Sequence, residues 1–557
     1  MILKNWRLKK AKKMNIVSKL NILSSDFIPQ YLLSYGIKDT NKFINPTKDC
    51  FEPWEHYNNI QDAIIKFDFH IRYKKKIGIV MDSDQDGACS AALIYNFIKY
   101  IKATNEIKIY YHKGKQHGLK DLLSEILEDD LSLLIIPDAG SNDINECMEI
   151  SSKGTEIIIL DHHIIEKDNP YACIVNNQIE GVENKELSGT GVTDKFVRGY
   201  CSTHDITYPN YTDLVAVSLV SDICDLSVLE NRAYMYYGLN NIANPFLNFL
   251  FNKLCEKRGF NSDGIGWEIS PLANALARSE EQSTKRLFFD GLIGNLLPED
   301  CLKEMRKIKR QQDNEVKKIV NEIEPNLNLD EKVIIDFTDA TNASFLGLIA
   351  NKFTGKYRKP TFLLRESNST TWSGSFRSPV PLLSKINSSG IAKAQGHEGA
   401  AGVFIQKSKF ERFKKWLNNL DLSEKPDIEV TACIEPQEIT IDLCKKIIEN
   451  KSLFGHGLPS PTFYIKTKLN QSNVFVFNKS TITLKLDING LSCLKFFASD
   501  TDVKNFTEYN NFEIELVIGD LGINEYNGFV SPQCNIIDYE IHPINFKNEN
   551  EKWEDLF

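Results

Sequence analysis

The chain lacks several features that would assign it to a specialised class. Its 12 cysteines include no CxxC pair, which argues against a thiolate zinc site and against a disulfide scaffold. No apolar run approaches the length of a bilayer span, and no continuous apolar stretch follows the basic residues 1–14, as a secretory signal would require. We therefore expect a cytoplasmic protein with reduced thiols and no membrane association.

An excess of basic charge is also missing. Lysine and arginine total 66 against 75 acidic residues, so the formal net charge is −9. This excludes a surface covered in basic patches, but a local groove can still be positive and bind nucleic acid. The length of 557 residues and the hydrophobic content of 42% are typical of a globular protein with about two to four domains.

The order of apolar patterns predicts an α/β architecture. After short helices expected over residues 1–70, short β-rich runs alternate with helix-like stretches: KIGIVM, LSLLIIP, TEIIIL and ACIVN. Such alternation is typical of a parallel sheet with crossover helices, which we expect over residues 71–295.

The rest of the chain divides into four further predicted segments. Apolar residues at helical spacing predict one long connecting helix within residues 296–328. Residues 329–424 then read as a smaller α/β domain, and short alternating strands over 425–545 predict a small β-barrel. The polar, acidic residues 546–557 predict a flexible tail.

Acidic and imidazole side chains follow three of the predicted parallel strands: Asp82, Asp84, Asp86, Asp138, Asp161, His162 and His163. Ligands of open parallel sheets bind beyond the carboxyl ends of the strands, so neighbouring strands would bring these groups together. Carboxylates that lie close together without compensating positive charge repel one another. A pair of divalent cations would remove the repulsion, and oxygen ligands with one or two imidazoles suit Mn²⁺ or Mg²⁺.

Each motif alone also has an ordinary explanation. The DSDQDG stretch could be a calcium loop or a solvated turn, and Asp138 could cap a turn. A lone DHH could be a surface loop or a satisfied core histidine. The occurrence of all three, each after an apolar strand, favours one common site.

Eight segments in order resemble the DHH phosphoesterase superfamily and, within it, the RecJ-type single-strand-specific exonucleases. They are MDSDQDGACSAALIYNFI, LLIIPDAGSND, IIILDHHI, ELSGTGVTDKFVRGY, LVSDICDL with ENRAYMYYGL, SPLANALARS, the pair GSFRS and GHEGAAG, and FGHGLPSPTF with NEYNGFVSPQCNIID. The resemblance covers nearly the whole chain. It implies a DHH catalytic domain at 71–295, a DHHA1 domain at 329–424 and an oligonucleotide-binding (OB) barrel at 425–545.

The resemblance implies two ions, Mn²⁺ or Mg²⁺, with these ligands: Asp82, Asp84, Asp138, His162 and Asp222. Asp138 would bridge the ions, and Asp225 is the alternative to Asp222. Asp86 could be a further ligand or an acceptor that favours the following helix. Asp161 would orient an imidazole, and His163 would face the scissile phosphate.

A second group of residues is expected to hold the substrate: Lys113, Arg278, Ser375, Arg377, Ser378 and His397. WSGSFRS combines small residues with an arginine, which lets backbone approach a phosphate, although a polar turn explains it too. With Arg278 it resembles the pocket for a 5′-terminal phosphate. Lys113 or Lys115 could line the DNA path, and His397 could contact substrate or serve close packing between domains.

The chain departs from the family pattern in a few places. Ala277 and Gln395 replace glycines, and Val80 and Met81 replace a polar pair that often precedes the first aspartate. None of these is a proposed ligand, so the departures bear on the substrate end more than on the metal site.

The resemblance implies a metal-dependent 5′→3′ exonuclease, specific for single-stranded DNA, in repair, recombination or replication. The expected protein is a monomer that binds a DNA 5′ end and could meet a single-strand-binding protein or helicase. Two alternatives remain: a DHH phosphodiesterase of short oligonucleotides or cyclic dinucleotides, and a non-catalytic replication scaffold. The tail is either an ordinary terminus or an acidic-then-apolar docking segment.

Overall fold

The computed structural model describes residues 6–8, 26–112, 116–338, 342–422, 428–478 and 481–544. These residues divide into two compact units. Residues 48–422 form the larger unit, and residues 6–8 and 26–47 together with 428–544 form the smaller one.

A five-stranded parallel sheet forms the first half of the larger unit. Its strands lie in the spatial order Ile107–Tyr111, Ile77–Met81, Leu133–Pro137, Glu156–Asp161 and Cys173–Asn176. Every residue of Ile77–Met81 and Leu133–Pro137 is buried, as strands covered on both faces require. The strands Ile77–Met81, Leu133–Pro137 and Glu156–Asp161 are neighbours and parallel, so their carboxyl ends lie at the same edge of the sheet. Asp82 and Asp138 follow the first two strands directly, and Asp161 is the last residue of the third.

Helices cover both faces of this sheet and form a helical layer after it. They are Ile60–Arg72, Gln85–Tyr100, Leu123–Glu128, Ile144–Ser152, Gly189–Thr203, Thr212–Ser221, Leu229–Asn240, Pro245–Leu254, Ser262–Gly264, Ser270–Ala277 and Gln282–Leu292, with a π-helical turn at Ile265–Ile269 and 3₁₀ turns at Lys48–Cys50 and Trp54–His56. The larger of the two core clusters around this sheet includes the fully buried rings of Phe67, Phe97 and Phe196.

A helix of 26 residues, Pro298–Ile323, connects the two halves of the larger unit. Proline opens its first turn, where a missing backbone N–H costs nothing, and Glu299 and Asp300 suit the helix dipole there. Its buried residues Met305 and Val316 lie among mostly exposed polar positions. The predicted connecting helix is therefore present.

The second half of the larger unit is a mixed five-stranded sheet. Its strands lie in the order Ala392–His397, Ala400–Gln406, Thr371–Arg377, Thr361–Asn368 and Ile334–Phe337. Only the last two strands pair in parallel. The flanking helices are Leu346–Tyr357, Leu383–Ser389 and Phe410–Asn419, with 3₁₀ turns at Glu324–Asn326, Ala343–Phe345 and Lys407–Lys409.

The smaller unit is built on a seven-stranded mixed sheet. In spatial order its strands are Ala432–Cys433, Phe463–Asn470, Asn511–Tyr526, Phe529–Pro543, Leu491–Phe496, Ile482–Ile488 and Val474–Asn478. The two longest strands form a hairpin around Asn527 and Gly528, whose φ angles of 50° and 80° give the two-residue turn that suits strand twist.

Both ends of the chain contribute to the smaller unit. Its helices are Phe27–Ser34, Thr40–Ile44, Ile441–Glu449 and Asp500–Thr507, with 3₁₀ turns at Pro436–Glu438, Lys451–Leu453 and Gln471–Asn473. Strand Trp6–Leu8 pairs in parallel with Ile428–Val430. The buried ring of Phe27 lies 6.3 Å from that of Phe463. The segment expected as one helical region, residues 1–70, is thus divided between the two units.

The predicted fold class is confirmed: an α/β parallel-sheet domain, a long helix, a smaller α/β domain and a strand-rich domain follow in that order. None of the helices in the described part of the chain combines the length and apolar character of a bilayer crossing. The predicted flexible tail, 546–557, lies outside the described residues.

Candidate metal centre

The first acidic segment follows strand Ile77–Met81. Asp84 caps helix Gln85–Tyr100, because its carboxylate accepts a hydrogen bond from the backbone N–H of Gly87 at 3.1 Å. A Cβ on Gly87 would come 2.5 Å from the Cβ of Asp82, so the helix can start here only with glycine at this position. Strand and helix together fix both carboxylates at the sheet edge.

Asp82 is 1% exposed and lies among basic side chains. Its Oδ2 is 2.6 Å from Nδ1 of His117, and its Oδ1 is 3.5 Å from Nε2 of His112. Nδ1 of His112 is in turn 2.8 Å from Asp121. Burial raises the pKa of Asp82, and the hydrogen bond with His117 opposes that effect. Burial also lowers the pKa of the nearby Lys285 to about 8.

Asp86 has a different environment from the two aspartates before it. Its Oδ2 accepts from the backbone N–H of Gly189 at 2.8 Å, and its Oδ1 accepts from that of Thr190 at 2.9 Å. These are the first residues of a helix, whose unpaired N–H groups favour a carboxylate. Asp86 also offers an oxygen within 4.8 Å of donor atoms of His162 and Asp222. These contacts cap helix Gly189–Thr203, whereas the alternative predicted for Asp86 concerned the helix that follows it, Gln85–Tyr100, in whose first turn Asp86 lies.

Asp138 adopts a left-handed backbone conformation, with φ of 68°. A non-glycine residue in this region is uncommon, and such strain occurs preferentially at functional sites. The backbone N–H of Asp138 donates to the carbonyl of Leu160 at 2.8 Å, which ties it to the neighbouring strand. The side chain is 2% exposed, and burial together with the charge of Asp86 raises its pKa well above the usual value.

His162 lies between two carboxylates. Its Nε2 is 3.3 Å from Oδ1 of Asp138 and 3.5 Å from Oδ2 of Asp222. Asp222 ends helix Thr212–Ser221, and burial raises its pKa to about 7. The next residue, Ile223, has a φ of 57° although it is β-branched, so the backbone is strained beside this carboxylate.

Asp161 orients the two histidines that follow it. Its Oδ1 accepts from the backbone N–H groups of His162 and His163 at 2.8 and 3.2 Å, and Nδ1 of His163 lies 2.8 Å from the same oxygen. The carboxylate is 1% exposed, and these bonds hold its pKa well below the usual range despite burial. The hydrogen bond to Asp161 raises the pKa of His163 to about 9.

The donor set fits divalent cations. Asp82 Oδ1, Asp138 Oδ1 and His112 Nε2 are buried and have no hydrogen-bond partner among the described residues. Donor triads within 4.8 Å of one another are formed by Asp82, Asp84 and His117, by Asp86, His162 and Asp222, and by Asp138, His162 and His163. Buried carboxylates of one sign need compensation, and a mixed oxygen and imidazole set suits Mn²⁺ and Mg²⁺.

A second charged site lies in the same unit, where Arg278 and Arg377 approach each other. The charge of Arg377 adds to burial in lowering the pKa of Arg278, and burial lowers that of Arg377. The amide of Asn342 donates to the carbonyl of Arg278 at 3.0 Å, which joins the two halves of the unit. A Cβ on Gly347 would come 2.6 Å from Nη2 of Arg377, so glycine leaves space for the guanidinium. Two partly buried cations without an ion pair among the described residues favour an anion.

The structure places the other predicted substrate residues as follows. Ser375 lies in strand Thr371–Arg377, opposite Gly402. The Ser378 hydroxyl donates to the carbonyl of Val380 at 2.6 Å and is thus used within a turn. His397 is exposed at the end of its strand. Lys113 lies outside the described residues.

The alternative fourth carboxylate, Asp225, is used locally, because its Oδ1 accepts from the backbone N–H of Ser227 at 2.7 Å. Sequence reasoning missed His112 and His117, although the signal was present. Both follow strand Ile107–Tyr111, and the rule that locates ligands beyond the strand ends applies to that strand too.

Comparison with known proteins gives two domain matches. The DHH family N-terminal domain matches residues 76–219, and the RecJ OB domain matches residues 430–538. The first contains the triads described above except for Asp222, and the second covers most of the seven-stranded sheet.

Whole-chain relatives agree with these matches. The chain is 28% identical to a Bacillus subtilis protein named "Putative SPbeta prophage-derived single-strand DNA-specific exonuclease YorK", over 94% of this chain and 97% of that protein. It is 25% identical to the single-stranded-DNA-specific exonuclease RecJ of Haemophilus influenzae, over 91% and 95% of the two chains. The crystal structure of Thermus thermophilus RecJ with Mn²⁺ superposes with a TM-score of 0.73 at 17% identity, covering 92% of this chain and 76% of the other.

Proposed function

We propose that this chain, which matches the DHH and RecJ OB domain models and is similar to RecJ-type exonucleases, is a metal-dependent exonuclease that degrades single-stranded DNA from the 5′ end. One observation carries the proposal. Asp138, His162 and Asp222 come from distant parts of the chain, yet Nε2 of His162 lies 3.3 Å from Oδ1 of Asp138 and 3.5 Å from Oδ2 of Asp222. Asp82 follows the strand next to that of Asp138, and its charge contributes to the raised pKa of Asp138.

The proposed chemistry assigns distinct tasks to the side chains. Two divalent cations would be held by Asp82, Asp84, Asp138, His162 and Asp222, and would supply an activated water and compensate phosphate charge. Asp161 holds the His163 ring through the Nδ1 of that ring. The side chain of His163 is half-exposed, and its Nε2 is not used in this contact. The hydrogen bond to Asp161 raises the pKa of His163, and a proton on its Nε2 can be donated in a hydrogen bond to a phosphate oxygen.

Direction of digestion would come from the arginine pair. Arg278 and Arg377 form a positive pocket that suits a terminal phosphate, since guanidinium groups bind phosphate oxygens in a fork. A fixed pocket for the 5′ phosphate would place the next phosphodiester at the metal centre. The predicted contributions of Ser375, His397 and Lys113 belong to the same proposal, whereas the internal contact of Ser378 favours a structural role.

The smaller unit carries features that suit single strands. Phe475, Phe477, Phe496 and Phe497 are 43–80% exposed, although aromatic side chains usually contribute to a core. The ammonium of Lys485 lies 5.8 Å from the ring centroid of Phe475. Exposed rings beside cations bind unpaired bases without sequence preference.

The biological setting is part of the proposal. We place the protein in the cytoplasm as a monomer that acts in DNA repair, recombination or replication, together with a single-strand-binding protein or helicase. The 12 cysteines support a reducing compartment, because none is paired in a disulfide and most are buried.

Two other functions make different predictions. A phosphodiesterase of dinucleotides would have no use for an oligonucleotide-binding domain, which this chain carries. A scaffold would not need the buried, unpartnered carboxylate oxygens of Asp82 and Asp138, which are costly without cations.

The decisive experiment is digestion of single-stranded DNA labelled at either end, with Mn²⁺, Mg²⁺ or a chelator. We expect mononucleotides from the 5′ end with metal and no product with chelator. Faster cleavage of dinucleotides than of long strands would favour the phosphodiesterase, and binding of DNA without cleavage under all metals would favour the scaffold.

A further inference from the structure

Two histidines from a neighbouring strand reach the first aspartate of the metal centre. Strand Ile107–Tyr111 pairs in parallel with Ile77–Met81, so the carboxyl ends of both strands meet at one edge. His112 follows the first strand directly, as Asp82 follows the second. His117 comes five positions later and contacts the same aspartate.

His112 is positioned as a metal ligand rather than as a hydrogen-bond donor to Asp82. The ring is fully buried, and its Nδ1 lies 2.8 Å from the carboxylate of Asp121. A proton on Nδ1 satisfies that contact and leaves a lone pair on Nε2, which faces Asp82. Nε2 and the Oδ1 of Asp82 are 3.5 Å apart, and neither has a hydrogen-bond partner among the described residues.

A cation between Nε2 of His112 and Oδ1 of Asp82 would remove the repulsion between their lone pairs. Two lone pairs that face each other in a buried site repel unless positive charge lies between them. Ligand atoms about 2.1 Å from one cation lie roughly 3.0–3.5 Å apart across the bond angles of six- and four-coordinate sites. The observed separation matches that range without any movement of the side chains.

His117 approaches the same aspartate at its other oxygen, because its Nδ1 lies 2.6 Å from Oδ2 of Asp82. Donor atoms of Asp82, Asp84 and His117 all lie within 4.8 Å of one another. The His117 ring is half-exposed, so solvent space is available for it to turn from its bond with Asp82 toward an ion.

We propose that His112 and His117 ligate the cation held by Asp82 and Asp84, and that this position therefore selects Mn²⁺ over Mg²⁺. The inference rests on the proposed two-metal function and adds nitrogen ligands to it. Imidazole suits Mn²⁺, whereas Mg²⁺ prefers oxygen and water ligands. Among the described residues, the second position, at Asp138 and Asp222, has His162 as its close imidazole at 3.3–3.5 Å, with the half-exposed His163 beside it.

The test measures ion binding rather than activity. Calorimetry with Mn²⁺ and with Mg²⁺ is carried out on the full chain and on three variants, His112→Gln, His117→Gln and Asp121→Asn. His456→Gln, an exposed histidine of the smaller unit, serves as the matched control. Circular dichroism and thermal unfolding of each variant verify that it is folded.

We expect each of the three variants to weaken Mn²⁺ binding at one of two positions by about 10–100-fold, as loss of supporting or ligating imidazoles does in other metal sites. The loss for Mg²⁺ should be smaller, and His456→Gln should match the parent protein. Because His112 is buried, His117→Gln and Asp121→Asn keep the test valid if His112→Gln does not fold.

Pulsed electron paramagnetic resonance of bound Mn²⁺ gives an independent readout. In a background with His162→Gln and His163→Gln, nitrogen couplings should persist and should disappear when His112 and His117 are also replaced. Unchanged Mn²⁺ affinity in the folded variants, or no nitrogen coupling in that background, would overturn the inference. Two bound ions with nitrogen couplings but no release of nucleotides would instead overturn the proposed function alone.

Discussion

Gly189 and Asp138 are in such close contact that no side chain fits between them: a Cβ on Gly189 would lie 2.4 Å from Oδ1 and 2.8 Å from Cα of Asp138. Gly189 begins the helix that Asp86 caps, so one glycine connects two of the acidic residues. The close approach explains why the helix starts with glycine after Ser188.

The variant Gly189→Ala should therefore disrupt the metal centre. We expect loss of nuclease activity by at least about 100-fold, because displacement of a catalytic group by about 1 Å costs that much. Gly355→Ala is the control, since Gly355 lies inside helix Leu346–Tyr357 with nothing within 4 Å of the added Cβ. That change should stabilise the protein by about 0.5–1 kcal/mol and leave activity unchanged. Equal activity of the two variants would contradict the expected role of the contact.

The variant Asp138→Asn should be more stable than the parent protein without metal but should bind Mn²⁺ poorly. Burial and like charges raise the pKa of Asp138, so its carboxylate is unfavourable in the metal-free protein. In the presence of chelator, thermal unfolding should show the variant to be more stable than the parent by about 0.5–2 kcal/mol. Mn²⁺ should stabilise the parent strongly and the variant little. A lower melting temperature of the variant in chelator would show that Asp138 has a stabilising role of its own.

A pH effect on stability should arise away from the metal ligands, at Asp213. Burial raises the pKa of Asp213 to about 6, although backbone N–H groups of Leu214 and Asn244 donate to it at 2.9 and 2.7 Å. Since the folded pKa exceeds the unfolded value near 4, this group favours folding at low pH, and its contribution is lost as the pH rises from about 4 to 6.

Asp213→Asn removes that titration. The stability of the parent relative to the variant, measured by urea unfolding, should be greater at pH 4.5 than at pH 7.5 by on the order of 2 kcal/mol. A relative stability that stays constant or increases with pH would contradict the assignment. Comparison at two pH values cancels the groups that both proteins share.

The arginine pair should control recognition of the substrate end. Replacing Arg377 by alanine should reduce kcat/KM for a 5′-phosphorylated strand by about 10–150-fold, the value of a charge-assisted hydrogen bond of 1.5–3 kcal/mol. Substrates with a 5′ hydroxyl should be affected much less. Arg412→Ala, an exposed arginine of helix Phe410–Asn419, is the control. Equal losses on both substrates would place Arg377 outside the end pocket.

Exposed aromatic side chains of the smaller unit should contribute to strand binding. Phe497 is 80% exposed, and its φ of 54° is uncommon for a residue other than glycine. Phe497→Ala should weaken binding of long single strands by about 5–150-fold, since a stacked base contributes 1–3 kcal/mol. Tyr73→Ala, 65% exposed in the larger unit, should bind normally in the same fluorescence anisotropy assay. An equal loss in both variants would indicate a general effect of surface aromatics.

Much of the candidate site could be predicted from the sequence, for a simple physical reason. Asp82, Asp138 and Asp161 each follow or end a buried apolar strand, and parallel strands bring such positions to one edge. Asp222 ends a helix instead, and only its resemblance to a family motif indicated it. The connecting helix was predictable because its amphipathic period is regular.

Other features depend on pairings that local patterns do not encode. The contact of Asp86 with Gly189 joins residues 103 positions apart, so the sequence did not indicate that Asp86 caps this distant helix. The approach of Arg278 to Arg377 was implied only by resemblance, because the two residues lie in different domains of the chain. The nearness of His117 to Asp82 required knowing that Ile107–Tyr111 is the neighbouring strand.

The smaller unit joins the beginning of the chain to its end, and this affects how the protein is made. Residues 26–47 leave the ribosome early, but Phe27 and Tyr31 find their partners only when Phe463 and Pro459 have been synthesised. These side chains therefore lack their partners until residues 459–463 have been synthesised. By then all strands of the larger unit have already been made. A protein truncated after residue 422 would keep residues 26–47 without their packing partners, and exposed apolar side chains such as Phe27 promote aggregation. Expression of the larger unit alone should therefore begin near residue 48.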